Sequence, residues 1–186
     1  LPTHPRLIML SRGLATAPPV LADENKEVTD LYQFTCTSCH DVHELGVKVE
    51  ACAGCHGSFA DLTAIRYMTN QADADGDGDV TEGVGSEIQA LTDALLVALE
   101  NYSETTLGNK ITYDAHAYPY FFGADGKGFT GWTPRLLKAA YNYQYAQKDP
   151  GAFAHNGKYV IQILIDSIED LGGDVTTYAR PEVPAP

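Results

Sequence analysis

Every cysteine of the chain falls in one repeated pattern, Cys36-Thr37-Ser38-Cys39-His40 and Cys52-Ala53-Gly54-Cys55-His56. C-x-x-C-H is the spacing that attaches a c-type haem, with both thiols bonded to the vinyl groups as thioethers and the adjoining imidazole on the iron. One helical turn carries both sulfurs to one edge of a porphyrin and swings the next side chain beneath the metal. Two other chemistries use paired cysteines. A zinc ribbon shares the C-x2-C, gap, C-x2-C plan but gives no reason for a histidine after each second cysteine. Disulfides across so short a loop are sterically awkward and leave those histidines equally unexplained. Two covalent haem c groups are therefore expected, one on Cys36, Cys39 and His40 and one on Cys52, Cys55 and His56. Attachment of this kind occurs outside the cytoplasm, so the expected location is extracellular, at the cell surface or periplasmic.

Each iron then has a sixth position to fill. The remaining histidines are His4, His43, His116 and His155, against only Met9 and Met68. Histidine is the more available ligand, and bis-histidine haems generally sit at lower potential than Met/His haems. His43 follows His40 by three residues, so on a helical turn it projects from nearly the same face, about 4.5 Å further along the axis. With the motifs separated only by Asp41 to Ala51, it is a candidate for the neighbouring haem. His155 stands among small residues and Phe153, and His116 lies in the aromatic run Tyr113 to Phe122; a flat macrocycle can approach either. The alternative for His116 is a buried imidazole bonded to Asp114 or a carbonyl. His4 lies in a Pro-flanked terminal arm that reads as disordered in a monomer, although such an arm could donate its imidazole to a haem of a neighbouring subunit.

A second metal is written into Asp73-Ala74-Asp75-Gly76-Asp77-Gly78-Asp79-Val80-Thr81-Glu82. Carboxylates at loop positions 1, 3 and 5 and glycine at 6 match the first half of an EF-hand-type calcium loop. Position 12 is Val84, so Glu82 or Glu87 must close the site. Asp73, Asp75, Asp77, Asp79, Glu82 and Glu87 are the candidate Ca2+ ligands; as a bare exposed turn, those carboxylates would repel one another. Gly123 to Gly128 reads as a turn, and Asn101-Tyr102-Ser103 as a glycosylation-type sequon.

The elements that must position these groups are helical. Residues 88, 91, 95, 98 and 99 are apolar at amphipathic-helix spacing across Ser86 to Leu99. Thr133 as N-cap and Pro134 at the first helical position open a second helix ending before Asp149-Pro150-Gly151. Asn156 is expected to cap a third, running to the Gly172-Gly173 stop. Asp61 to Asn70 reads as a short helix, and no long strand pattern stands out. The fold class is mainly α with long loops. Residues 1–30 read as an extended arm and 31–180 as a dihaem cytochrome domain, with haem segment 31–60, calcium-type loop 73–87 and helical part 86–172. Residues 181–186 read as a disordered tail.

Composition narrows the partners. Twelve Lys+Arg against 25 Asp+Glu give a formal net charge of -13, which disfavours nucleic acid and anionic membrane surfaces. No stretch approaches the roughly 20 apolar residues of a membrane span. The chain begins at Leu1 without a basic region and apolar run, so a removed signal peptide is expected.

The doubled C-x-x-C-H with the following His43 resembles the multihaem c-type cytochromes. The acidic loop and the stretches Tyr113 to Phe122, Trp132 to Gln144 and Gly151 to Asn156 are similar to the C-terminal domain of large secreted multihaem cytochromes, over about residues 31–186. The resemblance implies bis-histidine haems passing electrons along stacked porphyrins at the cell exterior, with His116 and His155 in a shared site. Two haems are few for a conductor unless chains polymerise, as extracellular cytochrome filaments do.

Electron transfer is thus the expected function, with redox proteins or extracellular electron acceptors as partners and a homopolymer as the assembly it allows. One alternative is a dihaem enzyme such as a cytochrome c peroxidase, which needs an open sixth position with acid-base groups beside it; the surplus histidines argue against it. Another is an interaction module whose calcium loop and tyrosine-rich surface dock a partner.

Overall fold

A computed structural model describes residues 36–59, 61–66 and 73–181. The expected arm 1–30 with His4 and Met9, the segment 31–35, Met68, and residues 182–186 of the tail lie outside them. The described elements are α1 Cys36–Cys39, α2 Val49–His56, a 3-10 turn Leu62–Ala64, α3 Val84–Thr105, β1 Ile111–Tyr113, β2 Phe121–Gly123, α4 Pro134–Lys148 and α5 Ala152–Asp170. The fold is mainly α.

The core follows from three apolar stripes. Leu91, Leu95 and Leu99 recur every fourth residue on α3 and are fully buried, the spacing that puts side chains on one helix face. Leu136, Ala139, Ala140 and Tyr143 of α4 and Val160, Ile161, Leu164, Ile165 and Ile168 of α5 close over them. Ser167, buried on α5, accepts from Asn142 Nδ2 at 2.8 Å, so α4 and α5 are also tied by a polar contact. The antiparallel hairpin β1–β2, in register Ile111 to Gly123, caps this bundle. Phe121, Phe129, Trp132, Tyr113 and Tyr143 pack edge to face there, the arrangement aromatic quadrupoles favour.

Local chemistry sets the helix ends. Thr133 accepts from the Leu136 N–H at 3.2 Å and Pro134 occupies the first turn of α4, as their types require. At the end of α5, Gly173 N–H donates to the Ile168 carbonyl and Gly172 N–H to that of Glu169, each at 2.9 Å, with Gly172 at φ 85. This is a Schellman stop. The start of α5 differs from expectation. The helix begins at Ala152, and Asn156 is a kink inside it (φ -165, ψ 58) instead of its cap. The Asp61 to Asn70 helix is a 3-10 turn over its described part, capped by Asp61, whose Oδ1 accepts from Thr63 N–H at 2.8 Å. The sequon lies within α3, where the buried Ser103 hydroxyl donates to the Asn109 carbonyl.

Candidate metal centres

In the first C-x-x-C-H motif, Cys36 and Cys39 open and close the single turn of α1. The chain then reverses. Asp41 N–H donates to the Gly46 carbonyl at 2.8 Å, and Lys48 N–H to that of Cys39 at 2.7 Å. The Asp41 carboxylate accepts the N–H groups of His43 and Glu44 at 2.8 and 2.9 Å. Those hydrogen bonds, Glu44's first, hold the Asp41 carboxyl below its ordinary range. This turn replaces the helical continuation expected from His40 to His43. It leaves His43 exposed on the rim of the loop. The second motif lies on α2, with Cys52 and Cys55 one turn apart and His56 exposed at the helix end.

Two features of this segment suit a flat apolar cofactor. No described side chain between residues 36 and 59 is buried. Val42, Leu45, Val47 and Val49 are all exposed, Leu45 by 75%, although aliphatic side chains of this size are ordinarily interior. Among the described residues no protein core receives this apolar surface, and a macrocycle bound at the thiols would cover it. The residues present therefore fit the group that the motif specifies.

The remaining histidines occupy separate places. His116 is exposed in the loop joining β1 to β2, its N–H on Asp114 Oδ1 at 2.8 Å. His155, in the first turn of α5, lies with its ring centroid 6.3 Å from that of His40, the planes inclined by 40°. Both imidazoles are tied through Nδ1. His40 Nδ1 contacts the Leu45 carbonyl at 3.2 Å, and His155 Nδ1 contacts Asp149 Oδ1 at 3.2 Å. Asp149, Gly151 and Leu45 have roles here that sequence reasoning missed, because Asp149-Pro150-Gly151 was legible only as a helix stop. Leu45 sits in the left-handed region (φ 56), which costs a branched L residue about 1–2 kcal/mol.

The acidic loop makes a second cluster. Asp73 Oδ1 accepts from Gly76 and Asp77 N–H at 2.6 and 3.1 Å, and its Oδ2 from Gly78 N–H at 2.8 Å. Gly78 supplies the positive φ (95) of the sharp turn. Ligand oxygens of Asp73, Asp75 and Glu87 lie within 4.8 Å of one another, as do those of Asp75, Asp77 and Glu82. Glu82 and Glu87 thus each close one triplet, with Asp75 in both; Asp79 instead caps Thr81, accepting its N–H at 2.8 Å.

Glu87 anchors the arrangement. Its side chain, 2% exposed, pairs with Arg66 Nη1 at 2.8 Å and accepts from Ala74 and Asp75 N–H at 2.6 and 3.1 Å. Arg66 also donates to the Glu82 carbonyl. Burial pushes the Asp75 carboxyl up to about 6, with Asp77 and Glu87 adding repulsion. It pushes Glu82 to about 7, with Asp75, Glu87, Asp77 and Asp79 adding to it. Glu82 Oε1 is buried without a hydrogen-bond partner.

Among the described residues no helix is long and apolar enough to cross a membrane. No family model and no solved structure matches the chain. Two curated relatives do: the proteins named C-type polyheme cytochrome OmcB of Geobacter sulfurreducens, from strains DL-1 / KN400 and ATCC 51573 / DSM 12127 / PCA. Each is 28% identical over 171 residues, covering 72% of this chain and 23% of the relative. The chain thus spans about a quarter of the length of the relatives it matches, and over that span it is similar to a multihaem c-type cytochrome.

Proposed function

We propose that this chain is an extracytoplasmic electron-transfer protein carrying two haem c groups, on Cys36, Cys39 and His40 and on Cys52, Cys55 and His56. The observation that carries this reading is the pair of C-x-x-C-H motifs on a segment whose aliphatic side chains Val42, Leu45, Val47 and Val49 are exposed. The likeness to a polyhaem cytochrome supports it. When bound, each haem supplies a one-electron iron couple. The chain's own residues would fix the attachment points, with His40 and His56 as the motif ligands and His43, His116 and His155 as the further imidazoles that could hold the irons. Redox proteins or extracellular acceptors are the partners of such a carrier. Two haems relay electrons beyond one molecule only by stacking against haems of neighbours, so a homopolymeric filament is the assembled form of the same reading. Redox titration of the purified protein followed in the visible spectrum tests it. Two reversible one-electron steps are expected, and a chain without haem absorbance would refute it.

Calcium in the acidic loop belongs to the same proposal. Its support is the two carboxylate triplets, the buried and unpartnered Glu82 Oε1, and the backbone cradle around Asp73. The five carboxylates of these two triplets, joined through the shared Asp75, are stabilised by a divalent cation and destabilised without it. Calorimetric titration of chelator-treated protein with Ca2+ should show one site and raise the melting temperature. No heat and no shift would dismiss it.

A further inference from the structure

We propose that His155 is the axial partner of His40, held for that role by Asp149 and Gly151, so that the two imidazoles clamp one haem plane. The inference rests on the reading that Cys36 and Cys39 carry a haem. It assigns the histidine, and it names the residues that aim it.

Three observations converge. The first is distance. Two metal–imidazole bonds of about 2 Å each, plus a ring built of ~1.3 Å bonds on either side, place the two ring centres of a linear bis-imidazole pair about 6 Å apart. The His40 and His155 centroids are 6.3 Å apart, although 114 residues lie between them in the sequence.

The second is tautomer. A carbonyl oxygen only accepts, so the contact to Leu45 makes His40 Nδ1 the donor. A carboxylate likewise makes His155 Nδ1 the donor to Asp149. Neutral imidazole then keeps its lone pair on Nε2 in both rings. A carboxylate or carbonyl behind each ligand is the usual means by which proteins orient metal-binding imidazoles and raise their basicity.

The third is space. Asp149 is itself fixed, because its Oδ1 also accepts the Gly151 N–H at 3.0 Å. A Cβ on Gly151 would lie 2.6 Å from His155 Cε1 and 3.0 Å from Nδ1, so the ring occupies the place that any other residue's side chain would need. The kink at Asn156 follows immediately and frees the His155 turn from the axis of the rest of α5. Among the described residues neither His43 nor His116 has such an arrangement behind its ring: each uses its backbone N–H to reach a nearby aspartate.

The experiment uses the haem-loaded full chain and the variants His155→Ala, Asp149→Asn and Gly151→Ala. Intact mass counts haems independently of their ligands, while electron paramagnetic resonance and visible spectra report spin state. His155→Ala should keep the full haem complement, turn one haem high-spin, and recover low spin on adding imidazole. In the single-haem variant Cys52→Ala/Cys55→Ala, the same substitution should convert its one haem. Asp149→Asn should stay low-spin with that haem's potential shifted upward and the other unchanged. Gly151→Ala should give partial high spin at the same haem. Full low spin in haem-replete His155→Ala overturns the ligand assignment, and an unmoved potential in Asp149→Asn overturns the positioning role. Absence of haem from Cys36 and Cys39 in the wild-type chain refutes the function proposal first, and this assignment with it.

Discussion

Replacing Glu87 by leucine removes the carboxylate on which the acidic loop, the 65–66 segment and α3 converge. Three bonds are lost: the Arg66 ion pair at 2.8 Å and the Ala74 and Asp75 amide contacts at 2.6 and 3.1 Å. Breaking a fully buried ion pair by deleting one partner costs about 3–5 kcal/mol. Arg66 is 17% exposed and keeps its bond to the Glu82 carbonyl, so the lower end applies. A buried amide left without an acceptor adds about 1–3 kcal/mol, and Ala74 is buried. Against this, deletion relieves the repulsion that Glu87 exerts on Asp75 and Glu82, and leucine contributes apolar contact. The balance is a loss of about 3 kcal/mol in the metal-free protein. Glu87→Gln keeps an acceptor for the amides and should lose roughly half as much. Urea unfolding followed by far-ultraviolet circular dichroism, with unchanged slope, measures both. A loss below about 0.5 kcal/mol, the range of ordinary surface changes, would refute the view that Glu87 organises the loop. Saturating Ca2+ should stabilise the wild-type chain by about 3 kcal/mol at a hundred times its dissociation constant, and Glu87→Gln much less.

Other outcomes follow from the same structure. In chelator the protein should gain stability as pH falls from about 7 towards 5. Asp75 and Glu82 carry folded-state values raised to about 6 and about 7, so their contribution is full at low pH and lost as pH rises through those values. A melting temperature that falls across that acidification would contradict it. Leu95→Ala, at a fully buried position, should cost about 2–5 kcal/mol in the same unfolding assay. Gly83→Ala should destabilise by about 1–3 kcal/mol, because its Cβ would lie 1.9 Å from the Thr63 carbonyl and force α3 off the 3-10 turn; thermal melts measure the loss.

How much of this was legible in the sequence depended on the range of the interactions. The α3 stripe and the Thr133-Pro134 start of α4 are local patterns, and local patterns survive folding. Asn156 misled because a helix-capping residue type stands at a kink, with α5 already begun four residues earlier at Ala152. The β1–β2 hairpin escaped because three-residue strands carry almost no periodicity. His43 seemed helically placed only until Asp41 turned the chain. The C-x-x-C-H motifs and the acidic loop are contiguous and therefore readable. The approach of His155 to His40, the Asp149 contact behind it, and the pairing of Arg66 with Glu87 join distant segments, and no single-sequence pattern encodes them.

The central claim, covalent haem on both motifs, is tested most directly by intact and peptide mass spectrometry of the protein matured in a host that attaches c-type haem. The account predicts two haem adducts per chain, one on the peptide bearing Cys36 and Cys39 and one on that bearing Cys52 and Cys55. Four unmodified thiols open to alkylation, or a single adduct, would contradict it.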